Sequence, residues 1–220
     1  MRQRLADYRV FWRQFRDSYH TTGAVLPSGR GLSLALASFV RHNEIGAPTK
    51  PRRILEVGPG TGAVTAQIAR DMRPTDHMTL VERNEEFVGH LRDQLDSLGV
   101  FQTARDRIHL LHSSVEDVPE DEPYDLIISG LPLNNFSIEL VDRLLAKMQK
   151  LLAPGGVLSF FEYVAIRRAK AMVCSRTDRE RLRGIERALQ EVLGKHEIRR
   201  DLVLANVPPA WVHHIKLRDS

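Results

Sequence analysis

Cysteine is nearly absent. Cys174, alone among 220 residues, has no partner for an internal disulfide and no second cysteine with which to seed a zinc site. A reducing, cytosolic setting is the expectation. Long apolar runs are missing too: none approaches the roughly 18 residues that a bilayer span needs, and the opening Met-Arg-Gln-Arg-Leu-Ala-Asp has no apolar signal core. Neither an integral membrane protein nor an ordinary exported one is expected. There is no internal repeat and no low-complexity tract. A content of 42% hydrophobic and 27% charged residues lies near the globular average, which excludes a largely disordered or fibrous chain. The length suits one domain with an appendage.

The charge is present but uneven. Lys plus Arg number 32 against 28 Asp plus Glu, a net +4 that suggests an anionic partner without naming one. Residues 1–20 hold five arginines against Asp7 and Asp17, a local +3. Residues 164–200 hold eleven basic residues against five acidic ones, a local +6. The remaining segments are net acidic.

In the first segment Leu5, Tyr8, Phe11, Trp12, Phe15 and Tyr19 recur at steps of three and four, which places them on one helical stripe. Gly23, Pro27, Gly29 and Gly31 break that pattern, Leu32 to Val40 reads as a second helix, and Ala47-Pro48-Thr49-Lys50-Pro51 reads as a linker. Residues 1–50 are thus read as a helical extension of the domain at 51–220. Beyond the linker, short apolar runs at Ile54 to Val57, Met78 to Val81, Ile108 to Leu111, Asp125 to Ser129 and Val157 to Phe161 alternate with helical stretches. That rhythm implies βαβ units and a mainly parallel sheet. A basic helix from Asp178 to Leu193 leads to two further strands, Glu197 to Ala205 and Val212 to Leu217, joined through Pro208-Pro209. An α/β sheet finished by a hairpin is expected.

Ile54-Leu55-Glu56-Val57-Gly58-Pro59-Gly60-Thr61-Gly62 is a strand running into a tight glycine turn and then a helix. Glycines there adopt backbone angles closed to other residues and let a ligand approach the main chain. Such a turn suits a dinucleotide or another adenosine-containing cofactor. Twenty-two residues after Gly60 the second strand ends in Val81-Glu82-Arg83-Asn84, where a carboxylate can accept both hydroxyl hydrogens of a ribose. Glu56 is out of place in a strand covered on both faces, and Arg52 and Arg53 are the candidate partners if its role is structural. His109, His112, His213 and His214 lie in or beside expected strands without metal-ligand spacing, so no metal is expected.

Glu-x-Gly-x-Gly-x-Gly with an acidic end to the second strand resembles the class I S-adenosylmethionine-dependent methyltransferases, over about residues 51–220. The resemblance implies a Rossmann-like α/β fold: a seven-stranded, mainly parallel sheet with a C-terminal antiparallel hairpin. It also implies S-adenosylmethionine as cofactor and S-adenosylhomocysteine as product. By resemblance Glu56 lies near the methionine portion, Gly58, Gly60 and Thr61 pass under the cofactor, and Glu82, with Arg83 beside it, holds the ribose. Ser114 stands where many members carry the adenine-binding aspartate. Ser114, main-chain groups around Val115, and Glu116 are therefore the adenine candidates. The rival is a nucleotide-dependent dehydrogenase, but its turn is G-x-G-x-x-G.

The fourth strand ends in Ser129-Gly130-Leu131-Pro132-Leu133, where adenine methyltransferases carry an amide and an aromatic ring that stacks on the base. Flat bases need such a platform, so nucleic acid is not the expected acceptor. Ser-Gly-Leu-Pro-Leu, together with Thr22-Gly23-Ala24-Val25-Leu26-Pro27-Ser28, resembles the bacterial phospholipid N-methyltransferases, including a branch acting on ornithine lipids. That resemblance implies a lipid amine acceptor and a peripheral enzyme on the inner face of the cytoplasmic membrane. The N-terminal helix then meets an anionic leaflet, or lies over the domain as a lid. Catalytic candidates are Tyr19, His20, Asn134 and Tyr163. Ser129 is placed beside the cofactor, with Leu131, Pro132 and Phe136 on the acceptor side and Arg30 and Arg167 for the lipid phosphate or carboxylate. The alternatives are an RNA or small-molecule methyltransferase and a non-catalytic membrane-binding module of the same shape.

Overall fold

The computed structural model describes residues 29–41, 50–133, 136–164, 184–185, 189–206 and 208–216. Tyr19, His20, Asn134, Arg167, the N-terminal stripe and the Thr22 to Ser28 segment lie outside the described residues. Seven strands form one sheet, β1 (Arg53–Val57), β2 (His77–Glu82), β3 (Ile108–His112), β4 (Tyr124–Ser129), β5 (Leu152–Tyr163), β6 (Glu197–Val203) and β7 (Ala210–Lys216). Their order is β3-β2-β1-β4-β5-β7-β6. Strands β1 to β6 run in one direction and β7, between β5 and β6, runs antiparallel to both, the mainly parallel sheet with a terminal hairpin that the alternation of short runs and the Pro208-Pro209 break predict.

The helices are α1 (Arg30–Leu36), α2 (Ser38–Arg41), α3 (Ala63–Asp71), α4 (Glu85–Ser97), α5 (Gly99–Gln102) and α6 (Ile138–Leu151). The stretch read as one helix from Leu32 to Val40 is two, parted by a turn at Ala37. Strand β5 is longer at both ends than Val157 to Phe161, and β7 pairs with it from Val157 to Tyr163. Residues 189–196 are helical, so the basic helix read up to Leu193 runs three residues further.

The core lies on both faces of the sheet. On one face Leu55, Ile127, Leu158 and Phe160 meet α6 through Leu140, Leu144 and Met148, along with Ile185 and Leu189. On the other, Ile54, Met78 and Leu80 meet α3 through Val64 and Ile68, and α1 through Leu32 and Leu36. The described part of the N-terminal extension is therefore packed into the same core as the sheet.

Below β1 and β2 sits a buried ion pair. Asp76, fully buried, accepts from the Arg52 guanidinium at 2.6 Å and from the backbone N–H groups of Arg52 and Arg73. Arg52 also donates to the Val40 carbonyl at 2.9 Å, tying the end of the extension to the sheet. Burial pushes the Asp76 carboxyl up, but these hydrogen bonds outweigh it and hold it below the usual range. The resulting stability is present above the unfolded aspartate value and is lost as pH falls through the lower folded one. Asp76→Ala leaves Arg52 buried without its partner and should cost about 3–5 kcal/mol in urea unfolding at pH 7. A loss below about 1 kcal/mol would show that Arg52 finds water instead.

Candidate functional site

The glycine turn sits at the C-terminal edge of the parallel strands, where α/β sheets bind ligands. Gly58, Gly60 and Gly62 have φ of 69°, 56° and 80°, the left-handed region that favours glycine. At Gly58 a Cβ would meet Leu131 Cδ2 at 2.5 Å, whereas at Gly60 it would meet nothing within 4 Å. The first glycine allows the turns after β1 and β4 to touch; the second faces open space. Around that turn an open cleft is lined by Val57, Gly58, Val81, Glu82, Arg83, Ser113, Ser114, Val115 and Leu131.

Glu82 organises the cleft. Its Oε1 accepts from the backbone N–H groups of Arg83 and Asn84, both at 2.8 Å, and its Oε2 from Gly60 N–H at 3.1 Å. Burial raises this carboxyl above its ordinary value, and the backbone donors offset only part of that. Glu82 therefore fixes the glycine turn to the end of β2, and Oε2, with one donor, keeps a free lone pair toward the cleft.

Glu56 is the opposite case. It is fully buried, and neither of its oxygens has a hydrogen-bond partner. The Thr65 hydroxyl of α3 lies close enough to favour ionisation slightly without completing a hydrogen bond, and the Glu82 charge opposes it. Burial dominates and pushes the carboxyl up to about 8. The arginines suggested as partners are engaged elsewhere, Arg52 with Asp76 and Arg53 with Glu122. A buried carboxylate is costly unless paired, so with no cation beside it Glu56 is held neutral at pH 7.

The adenine candidates change character in the structure. The Ser114 side chain accepts from Glu116 N–H at 3.4 Å and caps a short helical turn at Val115–Asp117. Glu116 is paired with Arg143 of α6 at 3.2 Å. Ser114 and Val115 line the cleft, and the Ser114 hydroxyl, which accepts from Glu116 N–H, still has its own proton to donate. Thr61 is half-buried beside Gly60. Ser129 is fully buried, and its Oγ accepts from Leu131 N–H at 3.4 Å, so it shapes the β4 turn.

On the acceptor side Leu131 reaches the cleft and Pro132 is half-buried next to it. Phe136 does not reach it. At 3% exposure it belongs to the core with Leu133 and Leu140, and helix packing has taken the ring that the sequence offered to the acceptor. Tyr163 ends β5 edge-on to Phe161 with ring centroids 5.0 Å apart, and burial pushes its phenol up. Arg30 is exposed at the start of α1. Sequence reasoning missed Ser113, which lines the cleft, and Thr65. The signal for Thr65 was present: it is the polar member of the buried stripe Val64, Thr65, Ile68 and Ala69 of α3. Among the described residues no group of three or more His, Cys, Asp or Glu is placed to hold a metal ion.

This strand order, with a glycine turn after β1 and an acidic end to β2, defines a Rossmann-like methyltransferase fold. A family model described as "Methyltransferase domain" matches residues 54–156. Residues 54–156 are thus similar to a methyltransferase domain of the class I, S-adenosylmethionine-dependent kind. That match removes the dehydrogenase rival. The unpaired Glu56 oxygens, the open space over Gly60 and the free lone pair of Glu82 fit a cationic nucleoside of this kind.

Among curated relatives, the ubiquinone/menaquinone biosynthesis C-methyltransferase UbiE of Vibrio parahaemolyticus is 30% identical over 113 residues, covering 51% of this chain and 41% of that protein. The ornithine lipid N-methyltransferase of Singulisphaera acidiphila is 28% identical over 108 residues, covering 49% and 56%. The chain thus spans about two fifths of the length of the first of these. Among solved structures, the Burkholderia thailandensis 1,6-didemethyltoxoflavin-N1-methyltransferase, bound to its substrate and S-adenosylhomocysteine, superimposes with a TM-score of 0.63 at 16% identity, covering 96% of this chain and 89% of that one. The O-methyltransferase TomG of Streptomyces achromogenes gives 0.61 at 16% identity, covering 91% and 86%. These two share the fold.

Proposed function

We propose that the protein transfers methyl groups from S-adenosylmethionine to the amine head group of a membrane aminolipid, phosphatidylethanolamine or ornithine lipid. It acts peripherally on the inner face of the cytoplasmic membrane. The observation that carries the reading is the acceptor side of the cleft, built by Ser129-Gly130-Leu131-Pro132-Leu133 with Leu131 in its wall. Those five residues include neither an aromatic ring nor a side-chain amide for a flat base. The ornithine lipid N-methyltransferase relative supports the same acceptor class.

The cofactor supplies a methyl group on a sulfonium, already a strong electrophile. What the chain adds is position and a proton path, and orientation alone can supply several kcal/mol. The amine loses one proton before its lone pair forms the new carbon–nitrogen bond and the carbon–sulfur bond breaks. Tyr163, whose phenol burial keeps protonated, orients the amine through its oxygen lone pairs and is not the base. Tyr19, His20 and Asn134 remain the proposed groups for alignment and proton removal. Arg30 and Arg167 serve the lipid phosphate or carboxylate.

The number and identity of the C-methyltransferase relatives favour a second reading, carbon methylation in quinone biosynthesis. One assay separates the readings: labelled S-adenosylmethionine with vesicles containing phosphatidylethanolamine or ornithine lipid, beside a quinone-containing lipid extract and structured RNA. Label in the lipid head group is expected. Label only in quinone or only in RNA overturns the aminolipid reading.

A further inference from the structure

We infer that the tip of the β6–β7 hairpin is a second lipid-contacting element, inserting Leu204 and Leu202 into the membrane surface. The inference rests on the peripheral-membrane reading and adds to the N-terminal segment a contact of its own. Three aliphatic side chains of this one strand and its turn stand exposed: Ile198 at 49%, Leu202 at 44% and Leu204 at 70%. Strand β6 is the sheet edge, and an apolar edge left open to water invites pairing or aggregation unless something covers it.

The chemistry of the hairpin selects a lipid surface. Leu202 stands opposite Trp211 and Arg200 opposite His213 in the register, and the Arg200 guanidinium lies over the Trp211 ring at 4.6 Å. Tryptophan with a cation beside an exposed leucine suits the boundary between acyl chains and phosphates. The carboxylates of the strand are engaged: Asp201 with Arg199 and His214, Glu197 with His213 at 2.7 Å. Arg199 and Arg200 balance Glu197 and Asp201, so β6 carries no formal net charge against an anionic leaflet.

Position points the same way. Because β7 runs antiparallel to β5, with Ala210 opposite Tyr163, the turn carrying Leu204 lies at the sheet edge that holds the cleft. Asn206 in that turn accepts from Gly29 N–H at 3.1 Å, so the segment bearing the arginines and the apolar stripe joins the described body at this point. The described chain therefore starts against the hairpin tip, at the sheet edge that holds the cleft.

The test uses the full chain and phosphatidylcholine vesicles containing phosphatidylglycerol. These hold no amine acceptor of the proposed class, so docking is read apart from methyl transfer. In a Trp12→Phe background Trp211 is the one tryptophan. Its fluorescence should be quenched by lipids brominated along the acyl chain, and the paired substitution Leu202→Glu and Leu204→Glu should lower vesicle partitioning at least about tenfold. Cofactor affinity and melting temperature report retained folding; Leu204→Ser at the most exposed position serves as the milder variant, with a smaller loss in the same direction. Unquenched Trp211 with unchanged partitioning of the variants overturns the hairpin's role and leaves the acceptor assay untouched. Absence of wild-type binding to these vesicles overturns it as well, while head-group methylation in the separate assay still decides the acceptor. A dimer that the leucine substitutions dissolve, with partitioning unchanged, assigns the edge to a second copy and also overturns it.

Discussion

Glu56→Gln should make the unliganded protein more stable at pH 8.5 and a far poorer binder of its cofactor. The carboxyl is fully buried without a hydrogen bond, and burial raises it to about 8. Below the unfolded value of 4.5 it is neutral in both states and carries no penalty. Between 4.5 and about 8 the folded state keeps a proton that the unfolded chain has released, so stability falls as pH rises, and the loss is complete above that range. The glutamine amide removes the charge but is itself unpartnered, so roughly 2–3 kcal/mol is the expected recovery, or about 5–10 °C in melting temperature. At pH 4 the two proteins should melt together. Wild-type affinity for S-adenosylmethionine should rise with pH toward 8, up to about tenfold per unit, with proton release visible by calorimetry in buffers of different ionisation enthalpy. The glutamine variant should bind roughly 100-fold more weakly at pH 8 with a flat profile. A flat wild-type profile would mean that the cofactor's cation does not meet Glu56.

Glu82→Ala should weaken cofactor binding by more than about 100-fold and also destabilise the fold, because three backbone donors lose their acceptor together. Unsatisfied groups of this kind cost about 1–3 kcal/mol each when buried. Water reaching the cleft offsets part of that, so about 2–4 kcal/mol is expected from denaturant titration. Glu82→Gln separates the two roles. Its oxygen can still accept from Arg83 and Asn84, while its NH₂ group faces the Gly60 N–H, so the strand end is kept and the turn is released. Intermediate stability with affinity close to that of the alanine variant is the expected pair of results. Unchanged affinity in Glu82→Ala refutes the ribose role.

What the sequence made legible was periodic or local. Short apolar runs separated by helical stretches gave the parallel sheet, Pro208-Pro209 gave the hairpin, and three glycines with left-handed φ gave the turn. What it hid depends on pairs distant along the chain. Arg52 looked free for Glu56 because Asp76, 24 positions on, carries no local sign of its burial. Ser114 looked like a base contact, yet a serine that starts a helical turn caps it. Phe136 looked available to the acceptor until α6 fixed which face it buries. Glu56 was legible as an anomaly, but the absence of a partner could be seen only in the folded core.

The bond from Gly29 to Asn206 spans 177 positions, and Arg199 reaches Ser38 Oγ at 2.6 Å over 161. The earliest described helices therefore gain their seat from β6 and β7, made 161 to 177 positions later. Closing such distant contacts is slow, and until β6 and β7 have added to the sheet edge, Leu32 and Leu36 of α1 lack part of the surface that buries them. A chain emerging from the ribosome would hold α1 unlatched until β6 and β7 have been made. The order of assembly thus couples completion of the sheet to the seating of α1.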